Sequence, residues 1–215
     1  MEISLAIIGT AGRKEDAPKL SKDSFGAMCI VAKELLAQLK GNNYEITHLV
    51  SGGAAWADHV AVKLFLNKEV KNLRLYIPCQ FDNGSFFDGY SRIKGGGVSD
   101  KFLPGQTLNY YHGKFQKKTG INSLTEIQLA IHEGAEVLPC KGGFHGRNAM
   151  VAKSDILLAM TFGNENVVKE GGTADTVRKY LQRAEKEEFF SKTFHYNLNN
   201  GKIYSNIDVP EKNNP

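Results

Sequence analysis

Three glycine-rich turns hold residue types suited to gripping an anion: Gly9-Thr10-Ala11-Gly12, Ser51-Gly52-Gly53 and Gly171-Gly172-Thr173. Glycine permits positive φ and close backbone approach, and the N–H groups at a helix start, aided by the helix dipole, face negative charge. Ser51 and Thr173 add hydroxyl donors. The chemistry this composition fits is the binding of a nucleotide or another phosphate-bearing molecule. Taken alone, each turn also reads as a plain tight strand-to-helix connection. No turn has the GxxxxGK(S/T) spacing and no GxGxxG follows a strand, which sets aside P-loop NTPases and ordinary dinucleotide dehydrogenases.

Other side chains cluster near these turns in the sequence. Arg13 follows the first turn and can reach the same anion, or simply be solvated. Asp58 falls in the first turn of the helix after Ser51-Gly52-Gly53, where a carboxylate suits the dipole or receives a ribose hydroxyl. Asn148 can hydrogen-bond a base or ribose, or fix its own loop, and His145 is either an acid–base group or a bystander. His59, His112 and His132 have no metal-ligand spacing with a carboxylate or cysteine, so neither a metal nor a cofactor is expected. The rings of Phe81, Phe86, Phe87, Tyr90, Tyr110, Tyr111 and Phe115 can stack on a base, pack onto the body or form a subunit interface.

The elements that must position these residues follow from apolar periodicity. Ile3–Ile8 reads as a buried strand, Ser21 as the cap of a helix with Phe25, Met28, Leu35 and Leu39 at helical spacing, and Gly41 as its stop. Ile46–Val50 is a second strand, Ala57–Phe65 a second helix and Leu73–Ile77 a third strand. Short connections between them imply a parallel sheet with right-handed crossovers, whose strand C-termini share one edge, so the glycine turns can converge on one crevice. Gln80–Asn122, with Gly95-Gly96-Gly97, breaks the rhythm and shows no clear strand; it predicts a lid-like insertion holding a helix between Thr107 and Lys118. Beyond it come a helix over Ser123–Glu133, an extended Ala135–Pro139, a helix from Phe144 to about Lys153 and a buried strand over Asp155–Met160. Gly171-Gly172-Thr173 then opens a final helix to about Glu187, and Thr193–Leu198 closes the sheet. The fold class is thus α/β, a Rossmann-like three-layer sandwich with a mostly parallel sheet.

With 215 residues, 41% of them hydrophobic, the chain fits one domain over 1–210 followed by a flexible tail at 211–215. The formal charge is +4, with Lys and Arg spread along the chain, which favours a small anionic ligand and weighs against nucleic acid. Cys29, Cys79 and Cys140 form no CxxC pair, no apolar run reaches the length of a membrane span, and the start runs directly into a strand. A reducing, cytoplasmic setting without membrane contact is expected.

The stretch Val50-Ser51-Gly52-Gly53-Ala54-Ala55-Trp56-Ala57-Asp58-His59-Val60-Ala61 resembles the SGG-A-GAD-x-x-A turn and helix of the SLOG superfamily. That superfamily joins the DNA-processing protein A and the Lonely Guy phosphoribohydrolases. Gly146-Arg147-Asn148-Ala149-Met150, then Ser154-Asp155-Ile156-Leu157-Leu158-Ala159, then Gly171-Gly172-Thr173-Ala174-Asp175 resemble its second half, in the same order. The likeness is nearest to the small YspA-like SLOG proteins, spans the sheet and its turns, and leaves out Gln80–Asn122. It implies a Rossmann-like fold that binds nucleotides or their derivatives across the strand ends, commonly as a homo-oligomer.

In the Lonely Guy enzymes an Arg and a Glu cleave the N-glycosidic bond of a nucleoside 5′-monophosphate; the resemblance places Arg147 and Asp175 in those roles. A carboxylate can stabilise an oxocarbenium-like sugar while a guanidinium clamps phosphate or ribose. The sequence departs from the enzyme pattern in that no Pro precedes Gly171 and the acid is one methylene shorter, and Asp175 can instead cap the last helix. Three functions follow: N-glycoside hydrolysis of a nucleotide, non-catalytic sensing or sequestration of a nucleotide signal, and binding of single-stranded nucleic acid, the last disfavoured by the modest charge.

Overall fold

The computed structural model of the chain describes residues 3–88, 103–189 and 191–210. Its central strand, β1 (Ile3–Gly9), is apolar almost throughout because both of its faces are covered. Leu5 and Ile7 point into one core, and Ala6 and Ile8 into another. Around β1 lie β2 (Ile46–Ser51), β3 (Asn72–Ile77), β6 (Glu136–Pro139), β7 (Ile156–Thr161), β8 (Lys192–Asn197) and β9 (Lys202–Ser205), while β4 (Gln80–Asp82) and β5 (Ser85–Phe87) form a separate hairpin. The main sheet has seven strands in the order β6-β3-β2-β1-β7-β8-β9, parallel except for the β8–β9 pair.

Helices fill both faces. The larger core receives Phe25 and Met28 from α1 (Lys22–Gly41), Val60 and Phe65 from α2 (Ala57–Leu66), Phe115 from α3 (Pro104–Thr119) and Ile127 from α4 (Ser123–His132). The smaller core receives Val151 from α5 (Gly143–Val151), and Val177 and Tyr180 from α6 (Gly172–Lys186). This is the Rossmann-like three-layer sandwich expected. Ser21 caps α1 as expected, its hydroxyl accepting from the Ser24 N–H at 3.2 Å while the Ser24 hydroxyl accepts from the Ser21 N–H at 2.8 Å. Among the described residues no helix is long and apolar enough to cross a membrane.

Three strands went unread in the sequence: β4 and β5, which form the hairpin in the insertion, and β9 at the edge. The helix expected between Thr107 and Lys118 is α3. The described part of the insertion belongs to the body of the domain, since Phe115 is fully buried and meets Phe25 and Trp56 edge-on, each with ring centroids 4.9 Å apart. Tyr90, Gly95-Gly96-Gly97 and the tail 211–215 lie outside the described residues.

Phe115→Ala should therefore destabilise the whole domain by about 3–5 kcal/mol in urea unfolding, with a single transition. A segment resting loosely on the surface would tolerate the change.

The same core holds His112, whose Nδ1 lies 2.7 Å from Ser123 Oγ and whose Nε2 lies 3.1 Å from the Gly53 carbonyl oxygen. Burial pushes its pKa down to about 3, and the neighbouring His59 adds to the shift. In the unfolded chain a histidine takes up a proton below about pH 6.5, which folded His112 refuses until about pH 3. The unfolded state binds more protons in that window, so stability falls as pH drops through it. Burial shifts His59 and His195 in the same direction. The expected loss in unfolding free energy from pH 7 to pH 5 is at least about 2 kcal/mol, read from urea titrations at each pH.

Candidate functional site

The chain builds from β1 outward through β2 and β3 on one side and places β7 and β8 on the other. The strand order thus reverses between β1 and β7, and in an open α/β sheet a crevice forms at that point, outside the strand C-termini. A cavity of about 400 Å³ occupies it. Gly9 and Thr10 reach it from the end of β1, Thr161 from the end of β7, Arg147 and Asn148 from α5, and Gly171, Gly172 and Thr173 from the start of α6.

Of the sequence candidates, Gly9, Thr10, Arg13, Asp58, Arg147, Asn148, Gly171, Gly172 and Thr173 line this cavity. Ser51, Gly52, Gly53 and Asp175 are not among its lining residues. For the Ser-Gly-Gly turn the reason is physical. The carboxylate of Asp58 already lies at the start of α2, accepting from the Ala54 N–H at 3.2 Å, with the Gly9 and Gly52 N–H groups also bonding it. Ser51 is fully buried and donates its hydroxyl to the Asp58 carbonyl oxygen at 2.9 Å. The turn expected to hold a ligand's anion holds one of the protein's own.

Arg147 neutralises that carboxylate from the opposite helical layer. Its Nη1 lies 3.3 Å from Asp58 Oδ2 and 3.4 Å from the Gly52 carbonyl oxygen. A Cβ on Gly52 would fall on the guanidinium, so glycine here makes room for arginine. Burial pushes Asp58 upward against the opposing pull of Arg147 and the backbone N–H groups, and pushes Arg147 downward against the pull of Asp58. Among the described residues, Arg147 Nε is buried without a hydrogen-bond partner.

Asp175 faces away from this pair. Asn148 donates to its Oδ2 at 2.9 Å, Lys179 pairs with it one helical turn on, and His145 Nδ1 lies 3.6 Å away. Burial raises its pKa, but Lys179, Asn148 and His145 together outweigh that and lower it. Asn148 also donates to the Gly172 carbonyl oxygen at 3.3 Å, so one amide ties α5 to the start of α6.

The sequence reading missed Lys14, Glu15 and Asp16, in a 3₁₀ turn over Lys14–Lys19, and Lys169, Glu170 and Thr161. Their signal was position alone: three follow Arg13 directly, two directly precede Gly171, and Thr161 ends a strand at the same edge. Lys169 bridges Asp16 and Glu15, the latter at 2.8 Å, and Asp16 takes the Thr10 hydroxyl at 2.7 Å. Thr161 pairs with His195 Nε2 at 2.9 Å. Arg178 holds Glu170. Among the described residues, Arg13 and Lys14 remain as lining cations with no carboxylate in salt-bridge contact, and Thr173 has a hydroxyl without a hydrogen bond. The Arg13 guanidinium lies between two rings, 5.1 Å from the Tyr111 centroid and 5.4 Å from that of Phe144. The first N–H groups of a helix have no partner within it, so the start of α6 adds free donors beside Thr173. No group of three or more His, Cys, Asp or Glu among the described residues could hold a metal ion.

The chain is similar to the uncharacterized protein R261 of Acanthamoeba polyphaga mimivirus, with 39% identity over 181 residues, 83% of this chain and 91% of the viral one. The chain belongs to the family of that protein. No family model matches it. The match covers most of the chain rather than a single motif.

The buried pair gives a direct test of the site's architecture. Arg147→Met should destabilise the protein by about 3–5 kcal/mol, because it leaves Asp58 buried and uncompensated. Combining it with Asp58→Asn should recover a substantial part of that loss in a double-mutant cycle by urea unfolding. Additive losses would mean that the two side chains do not act as a pair.

Proposed function

We propose that this chain binds a nucleotide, or a ligand derived from one, in the cleft between the ends of β1 and β7, as a member of the SLOG superfamily. The observation that supports this best is the free donor set at the switch point: the start of α6 with Thr173, facing a rim that carries Arg13 and Lys14. These groups remain after the other lining charges are satisfied internally, and they suit a phosphate. The paired carboxylates around Lys169 suit ribose hydroxyls.

Binding is favoured over hydrolysis of the N-glycosidic bond. Asp175, the carboxylate that the Lonely Guy resemblance would use, lies outside the lining and is held by Asn148 and Lys179. The finer expectations of a homo-oligomer and a cytoplasmic setting belong to this reading. Three unpaired cysteines fit a reducing compartment, with burial pushing the Cys29 thiol up to about 11 and the Cys79 thiol up to about 12.

Calorimetry with nucleoside mono- and diphosphates should give saturable binding with no free base released on prolonged incubation. Arg13→Ala should weaken it roughly tenfold, the scale of one charged hydrogen bond, while lowering the melting temperature of the unliganded protein only slightly, since the Arg13 side chain is exposed and, among the described residues, makes ring contacts but no hydrogen bond. Release of base that vanishes in Asp175→Asn would instead establish the hydrolase, and absence of binding by any nucleotide would remove the reading.

A further inference from the structure

A second cavity, of about 380 Å³, opens beside the first and shares Lys14 with it. Trp56, Tyr110, Tyr111, Lys114 and Lys118 contribute to its wall, and no carboxylate does so among the described residues. The cleft at the switch point is walled by charges of both signs, whereas this neighbour is cationic and aromatic.

Trp56 distinguishes the second cavity from a packing defect. The residue is 2% exposed, with φ +65° and ψ −115°, a backbone conformation that a bulky side chain rarely adopts. Gly12 clears space for its indole, since a Cβ there would stand 2.5 Å from Nε1. Tryptophan N–H groups ordinarily find a partner, and among the described residues this one has no acceptor, while its nitrogen is not wholly buried and stays open to an incoming one. The result is a fixed, unpartnered donor in a wall that also offers two tyrosine rings and lysine ammonium groups. Lys114 lies 5.3 Å from the Tyr110 ring centroid, and Tyr110 is 57% exposed, so one ring face is open to a guest.

Arg13 connects the two cavities. Its guanidinium sits between Tyr111, in the second wall, and Phe144, in the first. We propose that the second cavity is a subsite for the far half of a two-part ligand, a second nucleoside joined by one pyrophosphate to the nucleoside in the cleft. The linking phosphates lie along Arg13 and Lys14, the second ring stacks on Tyr110 or Tyr111, and an acceptor on that half takes the Trp56 N–H. This proposal rests on the nucleotide reading of the cleft.

Trp56 is the chain's sole tryptophan, so its fluorescence reports the second cavity separately from the first. The full chain is titrated with adenosine, guanosine, cytidine and uridine monophosphates, and with the matching symmetric dinucleoside diphosphates, by calorimetry and by tryptophan emission. A dinucleotide should bind at least about tenfold more tightly than its mononucleotide and alone should change the emission. Tyr110→Ala and Lys114→Ala, both at exposed side chains, should remove that advantage and leave mononucleotide affinity unchanged. Equal affinities, or an advantage that survives both substitutions, overturns the subsite. If no mononucleotide binds, the reading of the cleft fails. A Tyr110-dependent emission change with a dinucleotide then still supports the second cavity as a site, and no change removes both.

Discussion

At the turn after β2 the protein supplies both the anion and the cation. The Asp58 carboxylate is nearly inaccessible to water, collects backbone N–H groups from two strand ends, and is met by Arg147 from the other helical layer. Taking two charges out of water is expensive, and their attraction repays it only when further hydrogen bonds satisfy the remaining valences. Here the N–H groups at the start of α2 do so for the carboxylate, and the Gly52 carbonyl does so in part for the guanidinium. The pair spans the edge of the sheet and couples the two helical layers there. Phe144 and Asn148, which neighbour Arg147 on α5, take their places in the cleft from that anchor.

Similar internal pairing governs the rest of the wall. Thr10, Asp16, Lys169 and Glu15 form one chain of partners, Thr161 and His195 another, and Asn148 with Asp175 and Lys179 a third. Such networks fix side chains before any ligand arrives and leave few polar groups uncommitted. Among the described lining residues, the uncommitted ones are the start of α6, Arg13, Lys14 and the Nε of Arg147. The cleft is therefore selective about where an anion can go, although it is lined by comparable numbers of acidic and basic residues.

Much of the layered sheet was legible because its signals are local. Apolar runs of strand length, a Ser21 cap and helical spacing in α1 each follow from short-range chemistry. The β4–β5 hairpin and β9 escaped because they are too short to show a period, with three or four residues each. At the site, the sequence pointed to Arg147, Asn148 and Gly171-Gly172-Thr173, which do line the cleft. It could not show that Asp58 fills the anion position of its own turn. A Ser-Gly-Gly turn before a helix looks the same whether the negative charge comes from a ligand or from an aspartate four residues past Ala54. Nor could it show that Asn148 takes hold of Asp175, since that depends on how α5 meets α6.

Lys169 has a consequence for when the cleft comes into being. Its ammonium joins Asp16 across 153 positions of sequence, and β1 pairs with β7 over a comparable span. A chain emerging from the ribosome makes β1 early, but must wait for the cleft until β7 and the loop before α6 have been synthesised. The recognition surface is thus a product of global folding, and a molecule held there would stabilise the whole domain rather than one segment.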